Sequence, residues 1–198
     1  MTQCNKQRTL FQPHSRREVE ADFSAEPISS DGGGLLLREI EQRLGIIAEL
    51  SHCFRDYRDA DYTEFSVREL LAQQIMAIAL GYEDLNDHDQ LRTDPLLALM
   101  VGREDITGQD RPEERERGKP LAGKSTLNRL QLTPPGASEQ SRYKKIVADM
   151  GAIHETLIDL FIRLRSLQGT PETLIIDFDA TDDPVHGDQL GRFRIQGI

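Results

Sequence analysis

From Leu35 onward the apolar residues Leu36, Leu37, Ile40, Leu44, Ile47 and Leu50 recur at helical spacing, which predicts a helix over this stretch. A second helix is predicted from Ser66. Its Glu69 stands three residues on, as in a capping box, and Val67, Leu70, Leu71, Ile75, Ile78, Ala79 and Leu80 supply its apolar positions. Gly81 stands where helices commonly stop. Leu96 to Met100 is a short apolar helix candidate. A long helix is predicted from Ser138 to about Leu167, with Ile146, Met150, Ile153, Leu157, Leu160, Phe161 and Leu164 as its buried stripe. After Gly169 the period changes to two: Leu174, Ile176 and Phe178 fall on one side of a strand, and Ile175, Asp177 and Asp179 on the other.

The segments between these elements are polar. Residues 1–23 are aperiodic and are expected to form a mobile basic arm. Ser29-Ser30-Asp31-Gly32-Gly33-Gly34 reads as a hinge-like turn, with Asp31 as a candidate cap for the first helix. Residues 102–120 are charged and carry Gly and Pro, so an exposed loop is expected. Lys124-Ser125-Thr126-Leu127-Asn128-Arg129-Leu130 reads as a short helix capped by Ser125 or Thr126, and Thr133-Pro134-Pro135-Gly136 then breaks the chain. The fold class expected is a mainly α N-terminal region followed by a β-strand.

Apolar residues make up 37% of the 198 and aromatics 6%, with no Trp, which is lean for a packed core. No run of about 18 apolar residues predicts a membrane span, and no signal-peptide core opens the chain. Cys4 and Cys53 match no metal-ligand spacing and read as two reduced thiols. The net charge of −10 argues at first against nucleic acid, but its distribution does not. Residues 1–17 hold four basic residues and no acidic one. Residues 111–145 hold nine basic and four acidic, against seven basic and 21 acidic in 18–110. Basic patches of this kind can meet phosphates locally. Lys124, Asn128 and Arg129 are the best DNA-contacting candidates, because a short helix after a loop with outward polar residues fits a helix-turn-helix-like reader. Arg142, Lys144 and Lys145 oppose the dipole of the long helix they are expected to open, so helix stability does not explain them.

The densest chemistry lies at the strand end, Asp177-Phe178-Asp179-Ala180-Thr181-Asp182-Asp183-Pro184-Val185-His186-Gly187-Asp188-Gln189. Two carboxylates on one strand face repel each other, and a cation such as Mg²⁺, which takes oxygen ligands, offsets that repulsion. A calcium loop fits poorly. Its sixth position is Asp182 where Gly is needed, and its twelfth is Asp188 where Glu is needed. Asp177, Asp179 and Thr181 also match the D-x-D-x-T string of haloacid dehalogenase-like phosphotransferases, with Asp177 as nucleophile and Asp179 as acid/base. His186, bracketed by Pro184 and Gly187, reads as a turn residue, and His52, His88 and His154 form no metal-binding pair.

The longer string resembles the first catalytic strand of DDE transposases of the IS1380 type. The likeness continues in Gly191-Arg192-Phe193 and extends upstream to Leu121-Ala122-Gly123-Lys124-Ser125-Thr126-Leu127-Asn128-Arg129-Leu130, to Tyr82-Glu83-Asp84-Leu85-Asn86-Asp87-His88 and to Ser29-Ser30-Asp31-Gly32-Gly33. It covers roughly residues 20–193.

The resemblance implies a ribonuclease H-like α/β catalytic domain preceded by a helical DNA-binding region. Together with the polar arm read at 1–23, the expected organisation is a mobile basic arm at 1–23, a helical DNA-binding region at 24–168 and the start of the catalytic domain at 169–198. In such enzymes two Asp and one Glu hold two Mg²⁺ or Mn²⁺ ions that assist strand cleavage and joining. Asp179 best matches the first Asp and metal ligand, with Asp177 as its less close rival. Transposon-end DNA is the implied partner, with self-association or association with an intact transposase as further expectations, and the cytoplasm, on bacterial nucleoid DNA, is the implied location. Arg194-Ile195-Gln196-Gly197-Ile198 does not look like the aromatic-rich second strand of the family, and the later Asp and Glu do not occur. The chain is therefore expected to be the N-terminal part of a transposase, truncated, inactive alone and without a stably bound metal.

Overall fold

The structure is a computed structural model that describes residues 8–22, 31–167, 169, 172, 173 and 175. Its contacts divide the chain into two units, residues 1–162 and 163–198. In the second unit the described part comprises the end of one helix and a few residues beyond it.

The first unit opens with a hairpin. β1 (Thr9–His14) pairs antiparallel with β2 (Arg17–Ala21), with Thr9 opposite Ala21 and Phe11 opposite Val19. Ser15 turns the chain at φ 54°, an uncommon value for a residue other than glycine. The aperiodic arm expected here is thus corrected over residues 9–21. The hairpin is held from outside: buried Arg38 donates from Nη1 to the Gln12 carbonyl at 2.8 Å, and Glu39 Oε1 accepts from the Gln12 amide at 2.7 Å.

Helices follow. α1 (Gly34–Leu44) and α2 (Ile46–Ser51) replace the single helix predicted over this stretch, because Gly45 takes the left-handed conformation at φ 67°. Asp31 does not cap α1. Gly33 holds that position without a side-chain bond, and the Asp31 carboxylate accepts from the Tyr82 hydroxyl at 3.0 Å. α3 (Val67–Ala79) begins where the capping box predicts, with both of its reciprocal bonds formed between Ser66 and Glu69. α4 (His88–Leu91) is a single turn. α5 (Pro95–Val101) covers the predicted 96–100, with the Asp94 carboxylate accepting from the Leu96 and Leu97 amides and Pro95 in the first turn. α6 is Lys124–Gln131, and Gly123 stands at its cap in place of Ser125 or Thr126.

The long helix predicted from Ser138 is the main departure. Helix α7 spans Met150–Ser166, and the chain before it pairs as a strand: β4 (Ile146–Ala148) lies antiparallel to β3 (Phe54–Asp56). Backbone bonds extend this ladder, from the Tyr57 amide to the Lys145 carbonyl at 2.9 Å and from the Asp149 amide to the Cys53 carbonyl at 2.8 Å. Asp149 Oδ1 then accepts from the Ala152 amide and caps α7. Ile146 is buried as the stripe predicts, but in a strand. No residue of α7 is buried among those described, so the rest of that stripe is not a core face here.

Two apolar clusters meet on α3. One joins α2, α3, α4, α5 and Leu121 through Ile47, Ala72, Met76, Ala77, Leu97 and Val101. The other joins Phe65, Leu70, Ala122, Leu127, Leu130 and Ile146, and seats α6 and β4 on the opposite end of α3. The strand expected at 173–179 lies outside the described residues, except for Thr173 and Ile175, which are not in a strand.

Candidate nucleic-acid interface

The side chains that mount α6 are buried. Gln73 Nε2 donates to the Ala122 carbonyl at 2.8 Å, while its Oε1 accepts from the Ala122 amide at 3.0 Å. The same Nε2 lies 3.0 Å from His88 Nδ1. Because Oε1 already serves as an acceptor, the amide nitrogen donates to Nδ1, and the imidazole proton sits on Nε2. Burial pushes the His88 pKa below its ordinary value, against the neighbouring Asp87 and Asp89 charges that raise it. Gly123 lies under the guanidinium of Arg92, where a Cβ would approach Nη1 to 3.0 Å. A residue pair far apart in sequence thus fixes the point at which α6 begins.

α6 buries Leu127 and Leu130 and exposes Lys124, Ser125 and Arg129, with Asn128 half-buried. Its three DNA candidates have different surroundings. Lys124 is engaged: its ammonium lies 3.0 Å from Asp89 Oδ2 and donates to Asn86 Oδ1 at 3.1 Å. The hydrogen bond and charge of Lys124 hold the Asp89 carboxyl below the usual range. Arg129 pairs with no carboxylate among the described residues, and its guanidinium lies 5.7 Å from the centroid of the Tyr143 ring. Asn128 uses its carbonyl to accept from the Leu132 amide, as helix geometry requires.

The segment expected to open a long helix instead runs along this site. Arg142 and Tyr143 are exposed, and the Arg142 guanidinium lies 4.8 Å from the Tyr143 centroid. Like Arg129, neither Arg142, Lys144 nor Lys145 pairs with a carboxylate among the described residues. The β3–β4 ladder explains why these cations need no helix dipole: they stand outside any helix.

The 102–120 stretch is a largely exposed loop, as expected, with Gly108, Arg111 and Pro120 buried. It is stitched to the body by arginines. Arg111, only 7% exposed, donates to Glu64 at 2.8 Å and to the Lys119 carbonyl at 2.6 Å. Arg103 donates to Glu69 at 2.6 Å, and Arg92 pairs with Glu116. The Arg103 and Arg111 guanidinium groups both lie over the Phe65 ring, at 5.0 and 4.9 Å from its centroid. These cations are neutralised in place.

A groove of about 960 Å³ is lined by these elements, with Arg58, Arg92, Arg103, Arg111, Ser125, Thr126, Arg129, Arg142, Tyr143 and Lys145 among its residues. Arg58, Arg92, Arg103 and Arg111 are held by Asp56, Glu116, Glu69 and Glu64. Free positive charge therefore comes from α6 and residues 142–145, while Asp59, Asp61, Asp105 and Asp110 make the rest of the lining acidic. An anion entering the groove would meet Arg129, Arg142 and Lys145. Sequence reasoning singled out Arg142 and Lys145 but missed Tyr143, whose signal is an aromatic set among cations.

Asp177, Asp179 and Thr181 lie outside the described residues. Among the described residues no group of three or more His, Cys, Asp or Glu side chains is placed to hold a metal ion, and no helix is long and apolar enough to cross a membrane.

Residues 11–195 match the family described as Transposase DDE domain group 1, and the chain belongs to that family. Searches of curated proteins and of solved structures give no match. The match takes in most of the hairpin and helices α1 to α7 as well as the carboxylate string. It supports transposase function and DNA as the substrate, and divalent metal is general in the family. Nothing supports the phosphotransferase alternative.

Proposed function

We propose that these residues form the DNA-holding part of an IS1380-type transposase, with transposon-end DNA lying against α6 and residues 142–145. The observation that supports this most is the set of cations without carboxylate partners among the described residues, Arg129, Arg142 and Lys145, that line one groove in a chain of a DNA-acting family. Arg129 contacts phosphate directly, and Asn128 reads the adjoining groove of the duplex. Lys124 joins them by exchanging Asp89 for a phosphate, at a cost, since it leaves one charge pair to form another. The test is binding of the 198-residue chain to transposon-end and random duplexes across a salt series. Substituting Arg129→Ala together with Lys124→Ala should flatten the plot of log affinity against log salt by roughly 0.9 for each phosphate contact removed. Unchanged affinity and slope would remove α6 from the interface.

The catalytic side of the reading rests on Asp179, with Asp177 as its neighbour, at the start of a ribonuclease H-like domain. Carboxylate oxygens suit Mg²⁺ or Mn²⁺, and Asp179 would be a ligand. Bound metal supplies the Lewis acidity for strand cleavage and joining. Asp177 and Asp179 are two residues apart, so together they can face only one ion, whereas a two-metal site draws carboxylates from separated elements. On this reading these 198 residues bind DNA without cutting it, because the carboxylates for a second ion have to come from another element; self-association or association with an intact transposase accompanies DNA binding. Strand cleavage by the purified chain in Mg²⁺ or Mn²⁺, lost on Asp179→Ala, would overturn this.

A further inference from the structure

Tyr143 is 57% exposed, and no hydrogen bond holds its hydroxyl among the described residues. A large aromatic ring left in solvent needs a reason, and its neighbours point to one. Arg129 from α6 and Arg142 beside it both set guanidinium groups against the ring, at 5.7 and 4.8 Å from the centroid. Neither guanidinium is drawn away by a carboxylate among the described residues. The mount is firm: two residues on, the Lys145 carbonyl accepts from the Tyr57 amide, and the next residue, Ile146, is buried. The ring thus presents apolar area in the groove lining, beside the carboxylate-free cations Arg129, Arg142 and Lys145, while Asp59, Asp61, Asp105 and Asp110 line other parts of the groove.

An exposed aromatic ring with cations set over it is an arrangement by which proteins hold an unpaired nucleotide: the base takes the place of a guanidinium on the ring, and the displaced cations take the phosphates on either side. A fully paired duplex offers no free base face. We propose that Tyr143, oriented by Arg129 and Arg142, is a stacking platform for one unpaired DNA base, so that this interface prefers DNA containing a melted or single-stranded nucleotide over fully paired duplex. The inference rests on the DNA-binding reading above and deepens it. Arg129 then has two roles, as a phosphate contact and as a positioning residue for the ring.

The test uses the whole 198-residue chain and three probes of one sequence: a fully paired duplex, the same duplex with a short internal mismatch bubble, and its single strand. The chain should bind the bubble and the single strand more tightly than the duplex. Tyr143→Ala should weaken binding to the bubble and single strand by about 5- to 150-fold, the range for loss of one base–aromatic stack, while duplex affinity changes by less than about twofold. Tyr143→Phe should retain the preference and Tyr143→Leu should lose it, because planarity matters and the hydroxyl does not. The chain has no Trp, so Tyr143→Trp places a single indole at the site. Its emission should be quenched by the single strand and not by the duplex, a readout that holds even if the alanine variant folds poorly. Equal binding to all three probes, or equal loss on all three for Tyr143→Ala with an unquenched indole, would overturn the stacking role and leave DNA binding standing. Failure to bind any probe would overturn both.

Discussion

Helices α3 and α7 carry similar apolar periodicities and have opposite fates. α3 buries Leu70, Ala72, Gln73, Met76 and Ala77, and both core clusters are built on it. α7 buries none of its described residues, and Leu157, Ile158, Phe161 and Ile162 each remain about half exposed. Periodicity states which face of a helix is apolar. It does not state whether anything packs there. For α3 the covering elements lie on both sides of it in the chain, from Ile47 to Ile146. For α7 one contact within the first unit is the approach of Cys53 Sγ to Thr156 Oγ1 at 3.3 Å.

The contrast can be broken by truncation. Leu70→Ala or Leu127→Ala should cost about 2–5 kcal/mol in urea unfolding, because each leaves a cavity at a fully buried site. Leu157→Ala should cost no more than about 0.5 kcal/mol, the scale of surface changes. A large loss from Leu157→Ala would show that α7 is covered after all.

A second prediction probes the stitched loop near the core. Gly108 has φ +67°, and a Cβ there would lie 2.6 Å from the Pro120 nitrogen, a backbone atom that cannot swing aside. Gly108→Ala should destabilise by about 1–3 kcal/mol through strain and displacement of the 102–120 stretch. Smaller still, Ser66→Ala removes one half of the α3 capping box and should lower stability by about 1 kcal/mol. No change in the melting temperature for either variant would count against the corresponding contact.

Acid should loosen the α3 side first. The folded-state pKa of His88 lies below 6.5, chiefly through burial, so stability is full above that value and falls as pH drops below it, when the unfolded chain takes up the proton first. Protonated Nδ1 would also face the Gln73 amide nitrogen, donor against donor, and release Ala122 at the entry to α6. Glu69 extends the loss to lower pH. Burial pushes its carboxyl up, but hydrogen bonds from Arg103 and Ser66 outweigh this and hold it below 4.5, so its contribution fades as pH falls beneath that value. Unfolding followed from pH 7.5 to 4 should show the decline, and His88→Gln should remove the upper part of it.

How much of this was legible in the sequence depended on how local each signal is. The capping box at Ser66 and Glu69 and the apolar run Leu96 to Met100 are contained within a few residues, and both formed as predicted, whereas the Asp94 cap and Pro95 that start α5 were not singled out. The β1–β2 hairpin lacked the glycine that usually marks a tight turn, since Ser15 takes the positive φ. β4 is three residues long and finds its partner at 54–56, so only tertiary pairing separates it from the helix its apolar spacing predicts. Of the candidate site, Arg129 was readable as an outward cation. The Asp89 partner of Lys124 was not, because it comes from another element. The carboxylate string carried the family resemblance, and the family match bears out the coarser part of it, a DDE transposase.

The central claim is that α6 and residues 142–145 hold DNA by cations that pair with no carboxylate among the described residues. The most direct measurement is the salt dependence of duplex binding for the native chain and for the variant carrying Arg129→Ala, Arg142→Ala and Lys145→Ala. If each contacts one phosphate, the slope of log affinity against log salt should flatten by about 2.7, at roughly 0.9 per contact, with the fold intact by circular dichroism. An unchanged slope in a folded triple variant would contradict the claim.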